Sequence, residues 1–181
     1  MNLPNKLTLL RIFMIPVFVA VFYVTALPFN YVIAAVIFAL AAATDFLDGY
    51  IARKYNLVTD FGKFLDPIAD KVLVSTALII LLGALPWYAA IMVALIMARE
   101  LIVSGFRLVA AGKGMVIAAD KSGKIKTFFT DVTIVVILVA LQVAVYWLYL
   151  AGIIMLGIST LLTVISGVEC LVKNKKVIAS K

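Results

Sequence analysis

Four aspartates stand close together in the first half of the chain. Asp45 and Asp48 are three residues apart, and Asp66 and Asp70 are four residues apart. On a helix, either spacing places both carboxylates on one face. Four carboxylates form an all-oxygen ligand set that suits Mg²⁺ or Mn²⁺. Because the chain contains no histidine, we expect any metal binding or acid–base chemistry to use these carboxylates.

The residues around the aspartates indicate phosphorus chemistry. Two pairs of carboxylates suit two divalent ions, and two-metal sites catalyse in-line displacement at phosphorus. Gly49 and Gly62 have no side chain, so a phosphate or a nucleotide can approach the backbone there. Arg53 offers paired donors to a phosphate. The alternative is a set of salt bridges from the aspartates to Arg53 and Lys71, with glycines that serve helix packing.

The composition sets the fold that must position this cluster. The chain has 181 residues and is 66% hydrophobic, well above the share in soluble domains. We therefore expect an all-α, polytopic membrane protein with a single domain over residues 1–181. A spanning helix needs about 20 apolar residues. Six transmembrane helices are predicted, at about Leu9 to Ala26, Tyr31 to Ile51, Phe61 to Leu82, Trp87 to Ala111, Ile125 to Val145 and Leu150 to Leu171.

The charged residues predict the orientation of these helices. Lysines and arginines lie at the two termini, between helices two and three, and around the connection of helices four and five. The other turns, near residues 28, 85 and 148, carry no charge. By the positive-inside rule, both termini and the aspartates face the cytosol. We expect no cleavable leader, because the first apolar stretch is long and lacks a small-residue cleavage site.

The stretch from residue 45 to residue 70 resembles the signature of the CDP-alcohol phosphatidyltransferase family. It keeps each fixed residue of that signature at its spacing: Asp45, Asp48, Gly49, Ala52, Arg53, Gly62, Asp66 and Asp70. The resemblance implies a six-helix membrane enzyme that acts as a homodimer. Such an enzyme transfers a substituted phosphoryl group from a CDP-linked lipid or alcohol to a hydroxyl group and releases CMP.

The resemblance also implies roles for the signature residues. Two divalent cations, Mg²⁺ or Mn²⁺, would be bound by Asp45, Asp48, Asp66 and Asp70. Asp70 would in addition be the catalytic residue, as general base on the acceptor hydroxyl. The CDP-lipid, CDP-diacylglycerol, would be bound by Asp48, Gly49, Arg53 and Gly62.

Three further segments resemble the bacterial branch of the family that uses sn-glycerol 3-phosphate as acceptor: Asn2–Arg11, Ala98–Glu100 and Gly123–Thr127. This branch works in the cytoplasmic membrane with its active site facing the cytosol. An anionic acceptor needs cations near the metals, and the candidates for its phosphate are Arg99, Arg107, Lys124 and Lys126. The alternative for Arg99 is a salt bridge with Glu100 or Asp131.

The residues Asn5, Thr8 and Arg11 allow two interpretations. They contact the nucleotide or the acceptor, or they cap and anchor the first helix.

Two rival functions remain open. The same chemistry with another acceptor would make the enzyme a cardiolipin synthase, if it used phosphatidylglycerol, or a phosphatidylinositol phosphate synthase, if it used an inositol phosphate. A cation or proton transporter would also contain carboxylates in its helices. Against a transporter, the uncharged outer half offers no path and we find no internal repeat. The lipid bilayer is an expected partner, and nucleic acid is not.

Overall fold

The computed structural model describes residues 2–55, 60–112 and 121–174, apart from the side chains of residues 3–4, 46–53, 60–61, 63–64 and 121–122. Within these ranges the chain forms six α-helices and no strand, as the sequence predicted. The helices are α1 (Leu3–Tyr23), α2 (Asn30–Lys54), α3 (Asp60–Leu81), α4 (Ala89–Gly112), α5 (Lys121–Val143) and α6 (Tyr146–Lys173).

The first helix begins earlier than the sequence predicted. It starts at Leu3 rather than near Leu9, with a proline in its first turn, where a missing N–H costs no hydrogen bond. Asn5 and Thr8 therefore lie inside the helix, and the residue before it, Asn2, makes no side-chain cap. The interpretation of Asn5 and Thr8 as caps is wrong. The extra turns extend α1 to the level of the aspartates.

The helices form a ring with one loosely packed junction. α1 packs against both α2 and α3, α5 packs against α2 and α6, and α4 packs against α6. By contrast, α3 has only limited contact with α2, α4 and α5. The core inside the ring is aromatic and aliphatic. Phe18 of α1 meets Phe38 of α2 at a ring-centroid distance of 5.9 Å, and both are fully buried.

Large apolar side chains also cover the outside of the ring. Leu108 is 76% exposed and Phe128 is 71% exposed, and many others lie on the same outer surface. Exposed apolar surface of this extent is typical of a surface covered by lipid. Within the described residues, four helical segments are long and apolar enough to cross a membrane: Asn5–Tyr23, Ala89–Gly112, Gly123–Val143 and Tyr146–Lys173. The described part of α2, Asn30–Asp45, is a shorter apolar segment.

The end of the bundle without charged side chains is held by neutral hydrogen bonds. Tyr149 of α6 donates to the carbonyl of Ala84 at 3.0 Å, and Gln142 of α5 accepts from the amide of Tyr31 at 3.1 Å. Asn30 donates to the carbonyl of Phe22 at 3.0 Å. These bonds join the turns to neighbouring helices. They fix this end of the ring while the charged groups gather at the other end.

Candidate active site

Three of the four signature aspartates have described side chains, and they lie close together. Asp45 is near the charged end of α2, and Asp66 and Asp70 lie on successive turns of α3. Each carboxylate on α3 lies near enough to Asp45 for mutual repulsion. α3 continues through Pro67 without a break. The structure therefore places Asp45 of α2 close to the two signature carboxylates of α3.

The remaining signature residues lie at the same end of the bundle. Asp48, Gly49 and Arg53 are within α2, but their side chains lie outside the described part of the chain. Gly62 is buried in the first turn of α3.

A buried polar face on α1 supports the aspartates. Asn5, Thr8 and Arg11 follow one another at intervals of three residues, so they share one face of the helix. Their exposed fractions are 7%, 0% and 0%. The hydroxyl of Thr8 donates a hydrogen bond of 2.5 Å to Oδ1 of Asp66. The polar start of the chain thus contacts a predicted metal ligand directly.

Arg11 ties α1 to α2. Its Nη1 atom lies 2.9 Å from Oδ1 of Asp45, and its Nε donates to the carbonyl of Ala41 at 3.2 Å and to the hydroxyl of Thr44 at 3.3 Å. A buried guanidinium requires such partners, since an unpaired charge in an apolar interior is costly. The Asp45 side chain keeps 44% of its surface exposed. Arg11 therefore fixes this carboxylate and leaves part of it open to a ligand.

The donor chemistry at this point fits a hard divalent cation. The candidate ligands with described side chains are all carboxylates, which Mg²⁺ and Mn²⁺ prefer. A cation would relieve the repulsion of Asp45 with Asp66 and Asp70. Within the described side chains, no group of three acidic residues is close enough to hold an ion unaided. The fourth predicted ligand, Asp48, belongs to the part that is not described.

A cavity opens at the loose junction between α3, α4 and α5. Its empty space is about 410 Å³, including the open mouth. One end is polar and contains Asp70, Lys71, Glu100 and Lys126. The other end is apolar, with lining residues Val74, Leu78, Ile96 and Met97. The cavity therefore joins a charged end to an apolar end.

Two of the four predicted acceptor residues share one glutamate. Glu100 Oε1 pairs with the ammonium of Lys126 and lies 3.2 Å from Nη1 of Arg99. The predicted alternative for Arg99, a salt bridge with Glu100, is therefore present. Lys126 is 7% exposed and lines the cavity with Asp70. Arg99 is not among the residues that line the cavity, and it donates to the hydroxyl of Ser166 at 2.8 Å.

The other two predicted acceptor residues are placed differently. Arg107 lies within electrostatic range of Lys71 and Arg99, and its buried Nε has no hydrogen-bond partner among the described residues. Lys124 is exposed on α5 and is not among the residues of the cavity. The structure thus gathers three of the four cations and leaves Lys124 at the surface.

Sequence reasoning assigned no site role to two groups near this cavity. Lys71 donates to the hydroxyl of Ser104, which in turn donates to the carbonyl of Glu100 at 2.5 Å. Asp131 of α5 lies within electrostatic range of Asp70 and Lys126, and its buried Oδ1 has no partner among the described residues. Lys71 directly follows Asp70 in the sequence, and this adjacency could have indicated a place near the site. Asp131 carried no signal beyond its charge in an apolar helix.

A family model and several named relatives match most of the chain. The family model for CDP-alcohol phosphatidyltransferases matches residues 1–165. The chain belongs to the CDP-alcohol phosphatidyltransferase family. Members of this family generally use divalent metal ions, which agrees with the carboxylate donors described above.

Relatives with named activities cover much of the chain. A Bacillus subtilis protein named CDP-diacylglycerol–glycerol-3-phosphate 3-phosphatidyltransferase is 49% identical over 141 residues, or 70% of this chain and 71% of that protein. A Rickettsia bellii protein of the same name is 44% identical over 167 residues, or 92% of this chain and 91% of its own length. A Mycobacterium tuberculosis protein named probable phosphatidylglycerophosphate synthase is 45% identical over 172 residues, or 93% of this chain and 79% of that protein.

Proposed function

We propose that this protein transfers the phosphatidyl group of CDP-diacylglycerol to sn-glycerol 3-phosphate, giving phosphatidylglycerophosphate and CMP. The observation that carries the proposal is the presence of Asp70 and Lys126 in one cavity that continues into an apolar groove. A carboxylate can accept the proton of a hydroxyl nucleophile, and an ammonium can bind the phosphate of the same acceptor. The names of the relatives support this choice of substrates.

The reaction needs one proton transfer and one displacement. Asp70 accepts the proton from the 1-hydroxyl of glycerol 3-phosphate while Lys126 binds its phosphate. The hydroxyl oxygen then forms a bond to the phosphorus that carries the diacylglycerol. The bond from that phosphorus to the CMP oxygen breaks, and CMP leaves with the electron pair. The acyl chains of donor and product remain in the apolar part of the site.

The aspartate cluster would bind two divalent cations, Mg²⁺ or Mn²⁺. The residues that would hold them are Asp45, Asp48, Asp66 and Asp70. When bound, such ions neutralise charge that develops on the pyrophosphate during transfer. Arg11 and Thr8 hold Asp45 and Asp66 in place for this role. The CDP group would be bound by Asp48, Gly49, Arg53 and Gly62.

The remaining acceptor contacts would surround Lys126. Arg99 and Arg107 add positive charge near the cavity, and Lys124 would contribute from the surface of α5. Asn5, next to Thr8 on the buried face of α1, would help to shape the nucleotide side of the site.

The protein would work as a homodimer in the bacterial cytoplasmic membrane. All six helices would span the bilayer, with α2 and α3 stabilised there by the pairing of their charged groups. Both termini and the active site would face the cytosol, because the lysines and arginines lie at that end.

Release of CMP from CDP-diacylglycerol tests the proposal. The purified protein in detergent micelles is supplied with glycerol 3-phosphate, an inositol phosphate or phosphatidylglycerol, each with and without divalent cation. We expect CMP release only with glycerol 3-phosphate, loss of release with a chelator, and recovery on addition of Mg²⁺ or Mn²⁺. Preference for another acceptor would overturn the choice of acceptor. Ion flux by the protein in proteoliposomes, together with no CMP release, would overturn the enzyme assignment.

A further inference from the structure

Arg99 of α4 lies in a notch on α6 that only glycine can form. A Cβ atom at Gly167 would lie 2.7 Å from Cγ of Arg99 and 3.2 Å from its Nε. Carbon atoms at 2.7 Å clash strongly, and Cγ is close to the start of the arginine side chain. Any larger residue at position 167 would therefore push the side chain of Arg99 out of its present position.

The neighbouring residue on α6 fixes the other end of the same side chain. The hydroxyl of Ser166 accepts a hydrogen bond of 2.8 Å from Nη2 of Arg99, and Ser166 is almost fully buried. Hydrogen bonds from a charged donor are stronger than neutral ones. α6 thus gives Arg99 both a steric fit, at Gly167, and a fixed orientation, at Ser166.

A continuous set of contacts leads from Arg99 to the cavity. Nη1 of Arg99 lies 3.2 Å from Oε1 of Glu100, and the same oxygen pairs with the ammonium of Lys126. Glu100 and Lys126 both line the cavity with Asp70. A displaced Arg99 would change the position of Glu100, and Glu100 would no longer hold Lys126 in the same place.

We infer that Gly167 and Ser166 are positioning residues for the acceptor end of the cavity, acting through Arg99 and Glu100 on Lys126. This inference rests on the proposed function, since it assigns the affected end of the cavity to the acceptor phosphate. Neither α6 residue touches the substrate. Their effect is on the affinity for the phosphorylated acceptor rather than on the displacement itself.

The test compares the kinetic constants of Gly167→Ala and Ser166→Ala with those of the wild-type enzyme, all in detergent micelles. We expect KM for glycerol 3-phosphate to rise about 3- to 10-fold in each variant, the range of coupling between contacting residues. KM for CDP-diacylglycerol and kcat stay within about twofold, because the signature residues are not disturbed. An unchanged KM for glycerol 3-phosphate in Gly167→Ala would overturn the inference.

Two other glycines of α6 serve as controls. A Cβ at Gly157 would meet only Cε of Met92, at an ordinary 3.9 Å, so Gly157→Ala should leave every constant unchanged. A Cβ at Gly152 would clash with Cγ1 of Ile137 at 2.8 Å, far along the chain from the charged cluster. Gly152→Ala should lower thermal stability without changing KM for glycerol 3-phosphate. An equal rise in KM for Gly152→Ala would attribute the effect to helix packing and overturn the inference.

A double-mutant cycle with Arg99→Ala separates positioning from general damage. Arg99→Ala removes the atoms that a new Cβ at position 167 would meet, so adding Gly167→Ala should raise KM no further. If the two effects multiply instead, Gly167 acts independently of Arg99 and the inference is wrong. If the wild-type enzyme releases CMP only with another phosphorylated alcohol, the proposed function fails, and the same cycle then tests the positioning role with that acceptor.

Discussion

Two polar regions meet at the charged end of this bundle, and they are held in different ways. On the acidic side, Asp45 and Asp66 are each bonded to a buried residue of α1. On the basic side, Lys126 and Arg99 share Glu100, and Arg99 is bonded to α6. α1 therefore supports the acidic region, and α6 supports the basic region next to the cavity.

The difference lies in how much charge each support neutralises. Arg11 gives the acidic side a single buried positive charge, so the three described aspartates retain net negative charge for cations. Glu100 and Asp131 give the basic side two acidic groups against four cations, Lys71, Arg99, Arg107 and Lys126, which leaves net positive charge for an anion. Each region thus keeps an excess of one charge that attracts a ligand of opposite sign. Mutations in the residues that hold one region should therefore leave the other region unaffected.

The largest effect is expected where the two regions meet, at Asp70. Asp70→Asn keeps the size of the side chain but removes the base, and general base catalysis contributes about 10²- to 10⁴-fold. We expect CMP release to fall by that factor with glycerol 3-phosphate as acceptor. Size-exclusion elution and thermal stability in detergent should match the wild type. Turnover near the wild-type value in the purified variant would remove Asp70 from the base role.

The support of the acidic side is tested at Arg11. Arg11→Met removes the charge and the hydrogen bonds to Ala41, Thr44 and Asp45 while filling much of the volume. Hydrogen bonds of charged groups contribute about 1.5–3 kcal/mol, so turnover should fall about 10- to 100-fold. More divalent cation should be needed for half-maximal activity. Arg11→Lys keeps the charge but not the branched donors, and wild-type behaviour of this variant would show that geometry is unimportant.

Much of the acidic side could be predicted from the sequence, because its aspartates lie within 26 consecutive residues and their spacing follows the helix repeat. The spacing of the aspartates fixes which residues share a face, and the six apolar stretches fix the helices. The support from α1 could not be predicted, since Thr8 and Asp66 are far apart in the chain and meet only through packing of α1 against α3. The three-residue spacing of Asn5, Thr8 and Arg11 showed a polar face but not its partner.

The basic side was less predictable for the same reason. Single lysines and arginines near helix ends look alike in a sequence, whether they contact lipid or line a site. Only the tertiary structure separates buried Lys126 from exposed Lys124, two residues away. Nothing in the sequence predicted the close approach of Arg99 to Gly167, because a glycine in an apolar helix can have many packing roles.

The basic side is tested by comparing these two lysines. Lys126→Met should raise KM for glycerol 3-phosphate about 10- to 30-fold, as expected for the loss of a charged hydrogen bond. Lys124→Met should raise it less than Lys126→Met, since Lys124 lies outside the lining of the cavity. Steady-state kinetics at varied concentrations of glycerol 3-phosphate gives KM for both variants. Equal effects would mean that general positive charge, rather than a placed ammonium, attracts the acceptor.

The smallest effect should come from Thr8. Thr8→Val preserves the shape of the side chain but removes the hydroxyl that donates to Asp66. A single hydrogen bond to a carboxylate contributes about 1.5 kcal/mol at the lower end of its range, so the cation concentration for half-maximal activity should rise about 10-fold. KM for glycerol 3-phosphate should not change, because the hydroxyl of Thr8 donates to Asp66 on the acidic side.

The matched control for Thr8 is Thr133, another fully buried threonine, whose hydroxyl donates to the carbonyl of Phe129 in its own helix. Thr133→Val removes a hydroxyl of equal burial without touching an aspartate, so cation dependence should stay at the wild-type value. A shift in Thr133→Val as large as that in Thr8→Val would mean that any buried hydroxyl affects the site through stability. If the cation dependence shifts in Thr8→Val and not in Thr133→Val, the hydroxyl of Thr8 supports the acidic region through its bond to Asp66.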